Sequence, residues 1–408
     1  MECYLDNAAT TKPSPGVVAA MLKVLNEDFG NPSAKHTKGL EAEKYVKDAA
    51  DVIAKEWKVS PREIILTSGG TESNNQALIG GALANKRLGM HILASAFEHA
   101  SVYRPLEFLE SQGFEVEYIG VDSLGHINRE ELASKIRKDT VIVSIMYVNN
   151  EVGAVQDIPA LAELIKSINP ATLFHVDAIQ AFGKIKLLPG REGIDLMSVS
   201  GHKLHGPKGS GALYVRQGVK LFPYIYGGGQ QHDMRSGTEN VPAIAGFARA
   251  VAETGENLQK NRESMFICKT ELIRRALKLG NVTVNAVPEA ALAAVSKMEG
   301  APTSFADVPE SLLSTAPHVT SLSFEGIDRS EVLLHALEEK GVYVSSGSAC
   351  SSNHPGLSGS LKAIGVKKEL LESTLRFSFS SETTPDEIDY AADCLEELLP
   401  MLRRFRRK

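Results

Sequence analysis

Thr140-Val141-Ile142-Val143-Ser144-Ile145-Met146-Tyr147-Val148 carries apolar or β-branched side chains at nearly every position. Outward from it the pattern recurs. Further short apolar strands are expected at Glu63–Thr67, His91–Ser95, Glu115–Val121, Leu173–Val176, Leu196–Val199 and Gly211–Val215, seven in all. Helical segments near 72–88, 100–112, 129–138 and 157–167 separate several of them. Residues 39–57 read as an amphipathic helix, with Val46, Ala49, Ala50, Ile53, Ala54 and Trp57 at i, i+3, i+4 spacing. Strands alternating with helices predict an α/β fold, a mostly parallel seven-stranded sheet between helices. Ligands of such sheets gather on the loops at the carboxyl ends of the strands.

The later part reads differently. A long helical stretch, 242–279, precedes strands near 281–287, 319–325, 342–345 and 374–380 and a final helix near 385–402. This predicts a second, smaller α+β domain. The boundaries are placed at 14–250 for the large domain and at 1–13 with 251–408 for the small one, which carries a cysteine-bearing loop at 345–360.

The chain has 408 residues and a formal net charge of -6. No whole-protein field draws it to nucleic acid or to an anionic membrane. The longest strand core, Val141 to Val148, is far too short to span a bilayer. Met1-Glu2-Cys3-Tyr4-Leu5-Asp6 lacks a basic region followed by an apolar stretch, so no signal peptide is expected. Cys3, Cys268, Cys350 and Cys394 lie far apart, which argues against a zinc site or a disulfide framework. A cytoplasmic enzyme without a metal is the expectation. The basic run Arg403 to Lys408 suits a solvated helix C-terminus; a docking patch for an acidic partner is the alternative.

Several motifs could carry chemistry. Ser68-Gly69-Gly70-Thr71-Glu72 follows a strand and opens a helix, where exposed amides and the helix dipole suit a phosphate; an ordinary strand–turn–helix has the same pattern. Ser200-Gly201-His202-Lys203-Leu204-His205-Gly206-Pro207 has Pro207 where a P-loop needs lysine, so that reading fails. Lys203 at a strand end could form a Schiff base or be a solvated loop lysine. Asp177 ends an apolar strand, either as a helix cap or as a carboxylate that keeps a heteroaromatic nitrogen protonated. His99 could be structural or a flat ring stacked on a cofactor. Asn149-Asn150-Glu151 follows another strand. Of the sixteen residues 345–360, ten are Ser or Gly. A cysteine there departs from the buried, inert default, which makes Cys350 a candidate nucleophile.

In order, the chain shows Asn7-Ala-Ala-Thr-Thr, Gly30-Asn-Pro, Ser68-Gly-Gly-Thr-Glu-Ser-Asn, Glu98-His99, Asn149-Asn-Glu, His175-Val-Asp-Ala, Ser200-Gly-His-Lys, Gly227-Gly-Gly-Gln, Arg235-Ser-Gly-Thr, Ser346-Gly-Ser-Ala-Cys and Arg376-Phe-Ser. Together these resemble the cysteine desulfurases of iron–sulfur cluster assembly, within the class V aminotransferase group of fold-type I pyridoxal-phosphate enzymes. The resemblance covers nearly the whole chain. It implies that Lys203 carries pyridoxal 5'-phosphate, that Asp177 pairs with the pyridine nitrogen, that His99 stacks on the ring and that Gln180 bonds the phenolic oxygen. It implies phosphate contacts from Gly70, Thr71, Ser200 and His202, with Thr238 contributed across a homodimer. Asn150, or Asn149 in its place, would contact the cofactor and, with Arg376, hold the substrate carboxylate. Lys203, Cys350 and His99 would be catalytic. Lys203 would move the Cα proton of L-cysteine, and Cys350 would take its sulfur as a persulfide, leaving L-alanine. The sulfur would pass to an acceptor protein such as a cluster scaffold or a tRNA-thiolation protein, with no direct contact to nucleic acid.

One departure from the family pattern lies between Val287 and His318, a longer Ala-, Ser- and Pro-rich stretch. Rival readings are a related pyridoxal-phosphate aminotransferase, a selenocysteine lyase, or a catalytically silent sulfur-transfer scaffold. Lys203 argues against the last.

Overall fold

The computed structural model describes residues 1–346 and 358–404. Its strands in chain order are β1 (Cys3–Tyr4), β2 (Ile64–Thr67), β3 (His91–Ser95), β4 (Glu115–Ile119), β5 (Thr140–Met146), β6 (Leu173–Asp177), β7 (Leu196–Ser200), β8 (Gly211–Val215), β9 (Val282–Asn285), β10 (Val319–Phe324), β11 (Val342–Tyr343), β12 (Ser345–Ser346) and β13 (Thr374–Ser378).

Seven of these form one sheet in the order β2-β8-β7-β6-β5-β3-β4. β4, β3, β5, β6 and β7 are parallel. β8 runs against both β7 and β2. The reversal has a simple cause: only residues 201–210 join β7 to β8, too few for the crossover that a parallel pair requires. β2, being opposed to β8, points the same way as β7. Five loops that reach the site, after β2, β3, β5, β6 and β7, therefore leave the same edge of the sheet. The strand order reverses between β3 and β5, which opens a crevice there.

Every residue of β2, β3, β5, β6 and β7 is buried. Helices cover the sheet. Helix Thr37–Trp57 ends in Trp57, which packs on Phe182 and edge-on to Tyr214 in the larger core. Burying one such side chain contributes about 2–3 kcal/mol. The stretch expected as one helix over 242–279 is two, Val241–Glu256 and Leu258–Lys278, broken where Asn257 leaves helical geometry at φ -111°, ψ 10°. The stretch expected over 72–88 begins at Gly70 and contains a π-turn at Gln76–Gly80.

A second, antiparallel sheet has the order β12-β13-β10-β9. β1 pairs in parallel with β11, and Cys3 and Leu5 belong to the core beneath this sheet. The N-terminal strand is thus tied to the C-terminal part of the chain, while the following residues, 8–11, reach across to the loop after β7. The stretch between Val287 and His318 holds a short helix, Glu289–Ser296, and two 3-10 turns. Val295 and Leu312 from this stretch are buried in the same core.

Candidate active site

At the shared edge of the large sheet lies a cavity of about 260 Å³, lined by Gly70, Thr71, His99, Asn150, Asp177, Gln180, Ser200, His202, Lys203 and Arg376, and by Ala8, Ala9, Ser101, Met146 and Ile179. Ten candidates scattered over three hundred residues of sequence meet there. Thr238 is exposed and does not line the cavity of its own chain. Cys350 lies outside the described residues.

The turn after β2 starts the wall. Gly69 has φ +148°, a conformation that a side chain would disfavour. Gly70 is pressed against the loop after β6: an added Cβ would lie 2.1 Å from Ile179 Cδ1. Ser200 Oγ, at the end of β7, is buried and has no partner among the described residues. An unmatched hydroxyl beside a side-chain-free turn is a place for a bound acceptor.

Asp177, the last residue of β6, is 2% exposed. Its Oδ1 accepts from Ile179 N at 3.0 Å and its Oδ2 from Asn74 Nδ2 at 2.8 Å. Asn74 also donates to Ser101 Oγ at 2.9 Å. Ser101 N–H donates to His99 Nδ1 at 3.1 Å, and Ser101 Oγ lies 2.8 Å from the same nitrogen. His99 Nδ1 is therefore an acceptor, which leaves the ring neutral with its proton on Nε2. Burial is the main cause of the lowered pKa of His99, and the Lys203 ammonium adds to it against Asp177. Burial also pushes Asp177 upward, opposed by its hydrogen bonds and by His99 and Lys203. A cation placed against Asp177 would restore its charge.

Lys203 Nζ donates to the carbonyls of Ala8 and Ala9, both at 2.6 Å. Behind it, buried Lys184 donates to the Lys203 carbonyl oxygen. Burial, then the Lys203 charge, pull Lys184 down to about 7. His202 Nδ1 lies 3.2 Å from Thr10 Oγ1, and burial lowers this imidazole to about 4. Gln180 donates to the Ala8 carbonyl at 2.9 Å.

Arg376 of β13 enters from the second sheet. It donates to the Asn150 carbonyl at 2.8 Å and to Asp6 Oδ1 at 2.7 Å, and its Nε has no partner among the described residues. The spare N–H groups suit a carboxylate. Asn150 lines the cavity, whereas Asn149 turns away and spends its side chain on Phe97 O, Ser360 Oγ and the amides of Glu151 and Val152. Of the two, only Asn150 lines the cavity. Glu151 holds Ser358 and Ser360 by their hydroxyls.

Sequence reasoning gave no role to Ser101, Lys184 or His318. Ala8, Ala9, Asn74 and Glu98 were noted only as parts of motifs. Glu98 Oε1 accepts from Ser95 Oγ at 2.6 Å and Met146 N at 2.7 Å, tying β3 to β5, and burial raises its pKa to about 8. Among the described residues no group of three or more His, Cys, Asp or Glu could hold a metal ion.

The family model for class-V aminotransferases matches residues 3–265 and 307–391. The chain belongs to the class-V aminotransferase family. It is 39% identical to a cysteine desulfurase IscS of Dictyoglomus turgidum over 403 residues, covering 98% of this chain and 95% of that one. It is 37% identical to a protein of the same name from Methanosarcina thermophila, covering 98% and 93%. Among solved structures, a NifS-like protein superposes with a TM-score of 0.87 at 35% identity, covering 98% of this chain and all of the other. The break in the family match, 266–306, overlaps the stretch that departs from the expected pattern.

Proteins of this family depend on pyridoxal phosphate, and the residues present fit it. The unmatched Ser200 hydroxyl and the Gly70 cradle suit the phosphate. The buried Asp177 carboxylate suits a protonated ring nitrogen, and the Lys203 amine lies on the same cavity.

Proposed function

We propose that this chain is a pyridoxal-phosphate-dependent cysteine desulfurase that takes sulfur from L-cysteine onto Cys350 and releases L-alanine. The observation that carries the reading is one cavity shared by Lys203, Asp177, His99 and Arg376 in a chain 39% identical to a protein named cysteine desulfurase.

When bound, the cofactor supplies an electron sink for bonds breaking at the substrate Cα. Lys203 would carry it covalently, and its amine would move the Cα proton. Asp177 would keep the pyridine nitrogen cationic; Asn74 and the Ile179 amide hold that carboxylate in place. His99, oriented by Ser101, would stack on the ring. Gln180 would donate to the phenolic oxygen. Gly70, Thr71, Ser200 and His202 would bind the phosphate. Arg376 and Asn150 would grip the substrate carboxylate. The Cys350 thiolate then forms an S–S bond as the substrate C–S bond breaks. The electron pair of that bond stays on the carbon fragment, which takes up protons and leaves as L-alanine.

The reading extends to architecture and partners. A large unit, 14–250, carries the cofactor, and a small unit of 1–13 and 251–408 carries the Cys350 segment. A homodimer brings Thr238 of the second copy to the phosphate. Its exposure, and that of Tyr226 and Phe222 in the same segment, supports this. The sulfur goes to an acceptor protein in the cytoplasm. No described helix is long and apolar enough to cross a membrane.

The test supplies L-cysteine and a thiol reductant to the cofactor-loaded protein and measures both products. Equal amounts of L-alanine and sulfide are expected. Transfer of the amino group to a keto acid without sulfide would instead mark an aminotransferase. Asp177→Ala should slow release of the Cα proton by about 100-fold to 1,000-fold, with a much smaller loss of cofactor affinity. Hydrogen–deuterium exchange at Cα reads the step; an unchanged rate means that the aspartate is only structural.

A further inference from the structure

His318 stands just before β10, at the end of the stretch that departs from the family pattern. It is 1% exposed, and its Nε2 lies 3.1 Å from Gln180 Oε1. The proton on this contact can be assigned. The Ala8 carbonyl can only accept, so the Gln180 amide nitrogen faces it. The amide oxygen then faces His318, and that oxygen can only accept as well. His318 must therefore donate from Nε2.

The surroundings agree. The titratable groups acting on the imidazole are Lys184, Lys269, Arg376 and Lys203, none of them an acid, and after burial they hold its pKa well below the ordinary histidine value. The ring is neutral and carries one proton. Its Nδ1 is buried without a partner among the described residues. That is tolerable for a bare lone pair. An N–H orphaned there would cost more, and would leave two lone pairs facing each other at Gln180. The backbone holds the ring in place: Phe379 N donates to the His318 carbonyl at 2.9 Å, and Ala316 N to the Gly153 carbonyl at 2.9 Å.

We propose that His318 is a positioning residue: by donating to Gln180 Oε1 it locks the glutamine amide so that its remaining N–H points at the phenolic oxygen of the cofactor. The proposal rests on the reading of Gln180 given above. The small sheet thereby acts on the cofactor's electronics without touching it. A donor at the phenolic oxygen stabilises its anion and withdraws electron density from the adjacent nitrogen joined to Lys203. That nitrogen then holds its proton less tightly. Losing the donor should raise its pKa, so the yellow protonated form should persist to higher pH.

The experiment is a visible-absorbance pH titration of cofactor-loaded variants without substrate. Gln180→Ala should raise the midpoint by about one pH unit, the worth of one hydrogen bond. His318→Phe and His318→Ala should each give a rise of similar size; they leave different volumes, so a shared shift belongs to the lost donor. His318→Gln, which can place an N–H near the same point, should titrate close to the parent. Adding His318→Phe to Gln180→Ala should change nothing further. An unmoved midpoint in Gln180→Ala overturns the reading of Gln180 itself. A shift in Gln180→Ala with none in either donor-lacking His318 variant overturns the role of His318 alone. The same follows if His318→Gln shifts as far as His318→Phe, or if the shifts add in the double variant.

Discussion

Lys203→Ala lowers turnover of L-cysteine by about a thousandfold or more and removes the covalent attachment of the cofactor. The size follows from losing both the tether and the general base, the latter alone contributing about 100-fold to 10,000-fold. The surroundings of Lys203 make it the amine of choice. It lines the cavity together with Asp177 and His99, and Lys184 holds its carbonyl. Lys208, five residues on, is exposed and does not line the cavity. Borohydride reduction followed by peptide mapping checks the assignment: the parent should carry the reduced adduct on Lys203, and the variant on no lysine. An adduct on Lys208 in the parent would show that the wrong amine has been chosen.

Cys350→Ser should remain yellow with bound cofactor and should still take up L-cysteine, yet make alanine at least about 100-fold more slowly, because nothing accepts the sulfur. The other cysteines are poor substitutes. Cys3, Cys268 and Cys394 are buried, and burial chiefly raises all three thiols, Cys3 to about 11 and Cys268 to about 12. A thiol held protonated is a weak nucleophile. Mass spectrometry of the parent after L-cysteine treatment without reductant should find the mass of one added sulfur atom on Cys350. Its presence on Cys3, Cys268 or Cys394, with Cys350 unmodified, would falsify the assignment.

The large sheet was legible because burial on both faces writes itself as apolar, β-branched runs: all seven expected strands occur, with ends shifted by at most two residues. Strand direction was less so. β8 looks like its neighbours in sequence, and only the short connection after β7 reveals that it is reversed. The helix Pro15–Asn26 went unread although Ser14 caps it and Pro15 opens it, a signal that was present in the sequence. The lining of the cavity was legible where one motif marks one residue, as at Lys203 or Asp177. It was illegible where a role needs two distant residues. Asn74 matters because it meets Asp177 and Ser101, and His318 because it meets Gln180 across 138 positions. No local pattern marks such pairs.

The loop after β5 has a mechanical consequence. Asn150 offers its carbonyl to Arg376, while the next residue, Glu151, grips Ser358 and Ser360. On the other flank, β12 ends at Ser346, and Ser345 pairs with Arg376 itself. The described residues on either side of the Cys350 segment, Ser345 and Ser358, are thus each held to Arg376 or to the loop that Arg376 bonds. On the roles proposed for Arg376 and Cys350, a substitution that displaces Arg376 also disturbs Ser345 and the loop that holds Ser358, so substrate affinity and sulfur delivery should fall together.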